Sequence, residues 1–218
     1  MSNSFLNMPF RGVSGQLIII NVVVFIGTYL LLGEPVYNLE TGEYDSLGRM
    51  ALASFMPGSP NFEPFQIATH MFMHGNLMHL LFNMLGIYWF GTMVEMVWGP
   101  QRFLFYYLTC GLGAWAMHVG IQWWELGGMI NPNAAVLGAS GAVFGIMVAF
   151  AIHFPNMEIR LMFPPIAMRA KFFVPLMAAA ELIFGVSGSA TGIAHYAHLG
   201  GALTGFLFIG FWTKFRFK

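Results

Sequence analysis

The sequence predicts an all-α membrane protein with six transmembrane helices. Of its 218 residues 57% are hydrophobic and only 8% are charged, whereas soluble domains contain about 25% charged residues. Apolar stretches also recur along the whole chain, so we expect one membrane domain over residues 1–218 and no separate soluble domain.

Six apolar stretches are long enough, with their flanks, to cross a hydrocarbon core. The first stretch could be mistaken for a signal peptide, because it follows a short segment that contains Arg11. No small-x-small cleavage site comes after it, so we expect a retained helix. The fifth is the shortest and contains Glu181, and its loss would move the C-terminus to the other side of the membrane. The predicted helices are 14–32, 74–97, 103–122, 137–154, 172–187 and 193–213.

The basic residues predict the orientation of the bundle. The chain has nine Lys and Arg residues. Eight of them flank span ends on one side of the predicted bundle, and only Arg49 lies on the opposite side. Since short cytoplasmic segments are rich in Lys and Arg, both termini are predicted to be cytoplasmic. The loop 33–68, rich in Glu and Asp, is then external. The flanking residues are Arg11, Arg102, Arg160, Arg169, Lys171, Lys214, Arg216 and Lys218.

Two polar residues, His79 and Asn83, interrupt the second predicted span. Their spacing of four puts them on one helix face. Polar residues at such depth are costly and need an explanation. Interhelical hydrogen bonding, worth about 1 kcal/mol or less, is one explanation, and a functional site is the other.

Ser140 lies between Gly138 and Gly141, where a loop gives way to an apolar helix. A serine at a helix start commonly caps the first turn. The flanking glycines also permit the close backbone approach that a nucleophile turn requires. Capping is the simpler of the two interpretations for this motif taken alone.

His198 begins the sixth predicted span and precedes Gly201 and Gly205. This spacing of four allows two membrane helices to pack closely, and Gly141 and Gly145 provide the same spacing after the serine. The two helices could therefore bring His198 to the serine. A histidine hydrated at the membrane surface is the simpler alternative.

The predicted topology favours a site, because these four polar residues fall at one depth in the outer half of the membrane. Ser140 could act as nucleophile and His198 as general base and acid. The Ser140 N–H, Asn83 and His79 could stabilise an oxyanion. Because Glu181 belongs to another span, no carboxylate is predicted to orient His198, and we expect a Ser–His dyad held by packing.

Metal binding and proton transport are the competing interpretations. His70, His74 and His79 are close in sequence, but no nearby carboxylate or cysteine completes a zinc set, so no metal or other cofactor is expected. A transporter would explain buried histidines but not a serine bracketed by glycines. The zero net charge gives no indication of nucleic-acid binding, and the lone Cys110 excludes an intrachain disulfide.

The chain resembles the rhomboid intramembrane serine proteases from its second predicted span to its sixth. Four motifs carry the resemblance through their order and spacing. They are His74-Gly-Asn-Leu-Met-His79-Leu-Leu-Phe-Asn83, Glu95-x-x-x-Gly99, Gly138-Ala-Ser140-Gly141 and Ala197-His198-x-x-Gly201-x-x-x-Gly205.

The resemblance implies a Ser140–His198 dyad with His79 and Asn83 as oxyanion ligands, and structural roles for Glu95 and Gly99. It also implies membrane-anchored protein substrates, cleaved in or beside a transmembrane helix that unwinds easily near its outer end. The loop 33–68 would be partly embedded in the membrane. Independently of the resemblance, the Gly- and Ser-rich loop 185–192 would lie above the site and could act as a lid.

Two positions depart from the family pattern. Phe144 replaces a frequent tyrosine that packs under the catalytic histidine, and Phe65-Gln66 replaces a frequent Trp-Arg in the first loop. The first change removes a hydroxyl, and the second removes the usual loop anchor. A catalytically silent relative that binds membrane clients is the alternative function, although such relatives generally lack the serine or the histidine. From the short tails we expect a bacterial or archaeal plasma membrane, with an organellar membrane as the alternative.

Overall fold

The computed structural model describes residues 12–33, 36–38, 43–160, 166–187 and 194–215. The helices are α1 Val13–Leu32, α2 Leu47–Leu52, α3 Gln66–Thr69, α4 Leu77–Gly86, α5 Thr92–Trp98, α6 Pro100–Glu125, α7 Ser140–His153, α8 Ala170–Val186 and α9 His195–Phe215. A 3-10 turn, His70–Phe72, follows α3, and a π-helical turn, Ile87–Gly91, joins α4 and α5 into one helix.

Within the described ranges, three antiparallel two-stranded ladders lie between these helices. They pair β1 Val36–Asn38 with β2 Glu43–Asp45, β3 Ser54–Phe55 with β4 Ala135–Val136, and β5 Glu158–Arg160 with β6 Ala167–Arg169. Arg11, Arg216, Lys218 and most of the predicted lid lie outside the described residues.

Within the described residues, three helices are long and apolar enough to cross a membrane unaided. They are Val13–Leu32, Leu77–Trp98 and Pro100–Glu125. Helix α7 is also apolar but has 14 residues. At 1.5 Å per residue it is about 21 Å long, shorter than a hydrocarbon core of about 30 Å. The six-span count and the cytoplasmic termini stay predictions.

Glu95 caps the first helix, although the two are far apart in sequence. Its carboxylate accepts hydrogen bonds from the backbone N–H of Val13 at 2.7 Å and of Ser14 at 2.8 Å, and from the Ser14 hydroxyl at 2.6 Å. An anion at a helix N-terminus satisfies the unpaired N–H groups and complements the helix dipole. Glu95 thereby attaches α5 to the start of α1.

Gly99 makes the reversal between α5 and α6. Its φ is +80°, a left-handed conformation that favours glycine. Pro100 follows as the first residue of α6, where its missing N–H has no cost. The motif Glu95-x-x-x-Gly99 therefore ends one membrane helix and starts the next.

Helices α7 and α9 pack with their backbones in contact. A Cβ at Gly201 would overlap the carbonyl oxygen of Gly141, and a Cβ at Gly205 would lie 3.1 Å from the Cα of Gly145. The Tyr106 hydroxyl of α6 donates to the Gly145 carbonyl at 2.7 Å. Glycine allows this short distance between the two helices, because a side chain at the contact would force them apart.

Gln66 anchors the segment between α1 and α4. Its side chain is only 1% exposed; the amide nitrogen donates to Met50 O at 3.0 Å and Asn61 O at 3.2 Å, and the oxygen accepts from Glu63 N at 3.1 Å. Phe65, by contrast, is 54% exposed. The expectation that Phe65-Gln66 removes the anchor of this loop is therefore wrong, because Gln66 itself anchors the segment.

The same segment holds the loop that leads to Ser140. The β3–β4 ladder pairs Phe55 with Ala135. Nearby, Arg49 Nη2 donates to Asn133 O at 3.1 Å, and Ser59 Oγ donates to Pro132 O at 3.0 Å. These contacts fix the approach of the chain to the start of α7.

Candidate active site

Ser140 and His198 are in hydrogen-bonding contact. Ser140 is the first residue of α7, and Ala139, not Ser140, is the N-cap. The Ser140 hydroxyl lies 2.7 Å from His198 Nε2, so the side chain points to α9 instead of capping its own helix. His198 is in the first turn of α9 and is 8% exposed.

Phe144 supports the His198 ring. The two rings are stacked, with centroids 4.6 Å apart and planes 7° from parallel. Phe144 lies one turn after Ser140 on the same helix. The serine and the surface that restrains the imidazole plane therefore come from one rigid element.

The turn before Ser140 brings His79 to the site. Gly138 has φ +112°, and its N–H donates to the His70 carbonyl at 2.8 Å. A Cβ at Gly138 would lie 2.6 Å from His79 Nε2 and 3.7 Å from Ser140 Oγ. The absent side chain thus leaves room for the His79 ring beside the serine.

Asn83 lies one turn beyond His79 and is 4% exposed. Its amide nitrogen donates to the His79 carbonyl at 2.8 Å. A primary amide has two N–H groups, so this bond leaves a second donor for another acceptor.

The remaining histidines of this region are buried. His74 packs edge-on against His79, with ring centroids 5.0 Å apart. His70 Nδ1–H donates to Gln66 O at 3.1 Å. Burial lowers the pKa of His70 to about 4, so this ring is neutral at physiological pH. In the described part of the chain, no three His, Cys, Asp or Glu residues are grouped to hold a metal ion.

The prediction that no carboxylate lies beside His198 is wrong. Glu181 of α8 places Oε1 3.1 Å from His198 Nδ1 and Oε2 2.6 Å from His195 Nδ1. The His198 N–H direction is not aligned for a regular hydrogen bond, so the contact is an electrostatic one. Glu181 lies five residues before the end of α8, and His198 lies in the first turn of α9. Treating these consecutive helices as an antiparallel hairpin would have paired the two residues.

Comparison with known proteins matches most of the chain. A family model described as the Rhomboid domain matches residues 61–215. The chloroplastic Rhomboid-like protein 11 of Arabidopsis thaliana is 31% identical over 158 residues, which cover 69% of this chain and 53% of that protein. Rhomboid protease AarA of Providencia stuartii is 30% identical over 145 residues, covering 63% and 52%.

A mitochondrial protein also matches. Rhomboid protein 1 of Saccharomyces cerevisiae is 29% identical over 144 residues, which cover 63% of this chain and 38% of that protein. The chain spans about half the length of the curated relatives it matches.

Proposed function

The chain belongs to the rhomboid family and is an integral membrane protein, and from this premise we propose that it is an intramembrane serine protease. Its substrates would be membrane-anchored proteins, cut in or next to a transmembrane segment. The observation that carries the proposal is the 2.7 Å contact between Ser140 Oγ and His198 Nε2. A serine hydroxyl becomes a useful nucleophile when a neighbouring base takes its proton.

In the first half of the reaction, Ser140 Oγ attacks the carbonyl carbon of the scissile peptide. Its proton passes to His198 Nε2, and a tetrahedral oxyanion forms. When this intermediate collapses, the C–N bond breaks and His198 gives the proton to the leaving amine. The N-terminal part of the substrate remains as an ester on Ser140.

In the second half, water replaces the amine. His198 takes a proton from the water as its oxygen attacks the ester carbonyl, and the collapse of the second oxyanion returns that proton to Ser140 Oγ. The carboxylic acid product then leaves. Both oxyanions need donors, which we assign to the Ser140 N–H, the His79 ring and the second amide hydrogen of Asn83. The unpaired first-turn N–H of α7 supports the assignment of Ser140.

Hydrolysis inside a membrane requires a route for water. Because α7 is too short to cross the hydrocarbon core, a start below the outer surface would leave an indentation above Ser140. In the proposed arrangement, six spans with both termini in the cytoplasm place this indentation on the external face. A prokaryotic plasma membrane stays a prediction, since the matched relatives include chloroplastic and mitochondrial proteins.

The direct test is labelling of the detergent-purified protein with a fluorophosphonate probe. We expect labelling of the wild type and none of Ser140→Ala or His198→Ala. Thr109→Ala, which removes a hydroxyl that donates to the Phe105 carbonyl of the same helix, is the control and should label like the wild type. Equal labelling of wild type and Ser140→Ala would remove Ser140 as the nucleophile. Complete absence of labelling in a folded wild type would favour a catalytically silent relative.

Asn83→Ala tests the oxyanion assignment. Loss of one donor typically costs about 10²–10³ in kcat. We expect slower cleavage of a single-span fusion protein whose transmembrane segment has small residues near its outer end, with the variant still folded in detergent. A variant that cleaves this substrate at the wild-type rate would exclude Asn83 from the oxyanion site.

A further inference from the structure

We infer that Glu181 is a positioning residue for this hydrolysis, holding the His198 ring in the tautomer that leaves Nε2 free to accept the serine proton. The inference rests on the function proposed above. It adds to the Ser–His pair a carboxylate supplied by a third helix, α8.

The carboxylate lies between two imidazoles of α9. Oε2 is 2.6 Å from His195 Nδ1, and Oε1 is 3.1 Å from His198 Nδ1. The side chains of Glu181, His195 and His198 are 12%, 8% and 11% exposed. The shorter contact fixes one oxygen of the carboxylate, which directs the other to His198.

This arrangement determines where the ring protons lie. An ionised carboxylate can only accept hydrogen bonds, and a neutral imidazole has one N–H and one acceptor nitrogen. Although the His198 N–H is not aligned for a regular hydrogen bond, a lone pair on Nδ1 would face a carboxylate oxygen 3.1 Å away, so the proton belongs on Nδ1. Nε2 is left with its lone pair toward the Ser140 hydroxyl, which is the state that a general base requires.

Charge gives Glu181 a second effect on the same ring. When Ser140 loses its proton, His198 becomes an imidazolium in a setting largely shielded from water. A negative charge 3.1 Å away stabilises that cation, and the attraction is stronger in such a setting than in bulk water. Phe144 restrains the plane of the ring, while Glu181 determines which edge faces Ser140.

A purely structural role for Glu181 is the alternative. The Glu181–His195 contact also links α8 to α9, and an ionisable residue in a predicted span is costly unless it is paired. A structural link would contribute equally to the ground state and the transition state, and its loss would lower folding stability or substrate binding. A positioning role would lower the rate of the chemical step in a protein that still folds and binds.

The test compares Glu181→Gln, Glu181→Asp and the control Glu158→Gln with the wild type. Glu158 is a 56% exposed carboxylate paired with Arg160, away from the site. For each protein, the limiting rate of fluorophosphonate labelling and the concentration giving half that rate are measured in one detergent. Thermal midpoints in that detergent report folding.

We expect Glu181→Gln to lower the limiting rate by roughly 10- to 100-fold with little change in half-saturating concentration. This is less than the factor of about 10⁴ for an aligned triad carboxylate, because the N–H of His198 is not aligned with Oε1. Glu181→Asp keeps the negative charge but moves it farther from His198, because the side chain is one methylene shorter. The limiting labelling rate of this variant should therefore be intermediate. Glu158→Gln should match the wild type.

A limiting rate for Glu181→Gln within twofold of wild type would overturn the inference, as would a loss confined to the half-saturating concentration. If Glu181→Gln fails to fold, Glu181→Asp decides, and a wild-type limiting rate in that variant overturns it. Neither result would contradict the role of Ser140 as nucleophile, because the wild type would still be labelled. An unlabelled wild type would overturn the proposed function together with this inference.

Discussion

His198 lies between two helices that contact α9 by different physical means. On the α7 side the backbones touch, with Gly201 against the Gly141 carbonyl, and the aromatic ring of Phe144 lies flat on the imidazole. On the α8 side the carboxylate of Glu181 lies against the imidazoles of His195 and His198, and Phe184 stacks on His195 with ring centroids 5.7 Å apart. The α7 side therefore confines the His198 ring sterically, and the α8 side places a carboxylate beside it.

The difference separates two requirements of the proposed chemistry. The distance between Ser140 and His198 depends on how closely α7 and α9 approach, and packing against backbone atoms determines that distance with little tolerance. The electrostatic surroundings of His198 depend on α8. We therefore expect changes in the glycine contact to abolish activity, and changes on the α8 side to reduce it by degrees.

Gly201→Ala should have the largest effect. The added methyl would overlap the Gly141 carbonyl oxygen, which is backbone and cannot rotate away. We expect destabilisation of about 3 kcal/mol or more and loss of fluorophosphonate labelling, measured with the thermal midpoint in detergent.

Gly210→Ala is the matched control on the same helix. Among the described residues, and apart from its chain neighbours and the backbone of its own helix, no heavy atom lies within 4 Å of a Cβ built there, so the stability of this variant should stay within about 1 kcal/mol of wild type. Normal labelling and stability of Gly201→Ala would show that backbone contact does not determine the α7–α9 distance.

Phe144→Ala should have an intermediate effect, because it removes the stacked surface while leaving the helices in place. Aromatic stacking is worth about 0.5–1.5 kcal/mol, so we expect kcat for the single-span substrate to fall by up to about tenfold. Phe144→Tyr retains the ring and should stay within about twofold of wild type. If Phe144→Ala turned over as fast as Phe144→Tyr, the stacking would have no role in positioning His198.

His195 variants should have the smallest effect and test the α8 side. His195→Leu removes the donor that fixes Oε2 of Glu181, and we expect a loss of about two- to fivefold in kcat. His195→Gln keeps an N–H donor, so its loss should be smaller. Equal rates for the two variants would mean that the 2.6 Å contact does not hold the carboxylate.

Much of the candidate site could be predicted from short motifs. The glycines around Ser140 and after His198 indicate a close helix pair, and these motifs led to the rhomboid resemblance, which the family model confirms. Glu181 lies in no motif, and only a hairpin alignment of α8 with α9, which local spacing does not provide, would have placed it beside His198. The anchoring by Gln66 also depends on contacts with residues far from any motif.

The sequence alone determined the class of the molecule and its principal polar residues. Composition and apolar stretches require a membrane. The glycine spacing predicts close helix packing, because a residue without a side chain permits close backbone contact in any fold. Only the tertiary structure decided which groups face His198. Electrostatic contacts depend on distances of a few ångströms between residues on different helices, and local spacing carries no information about those distances.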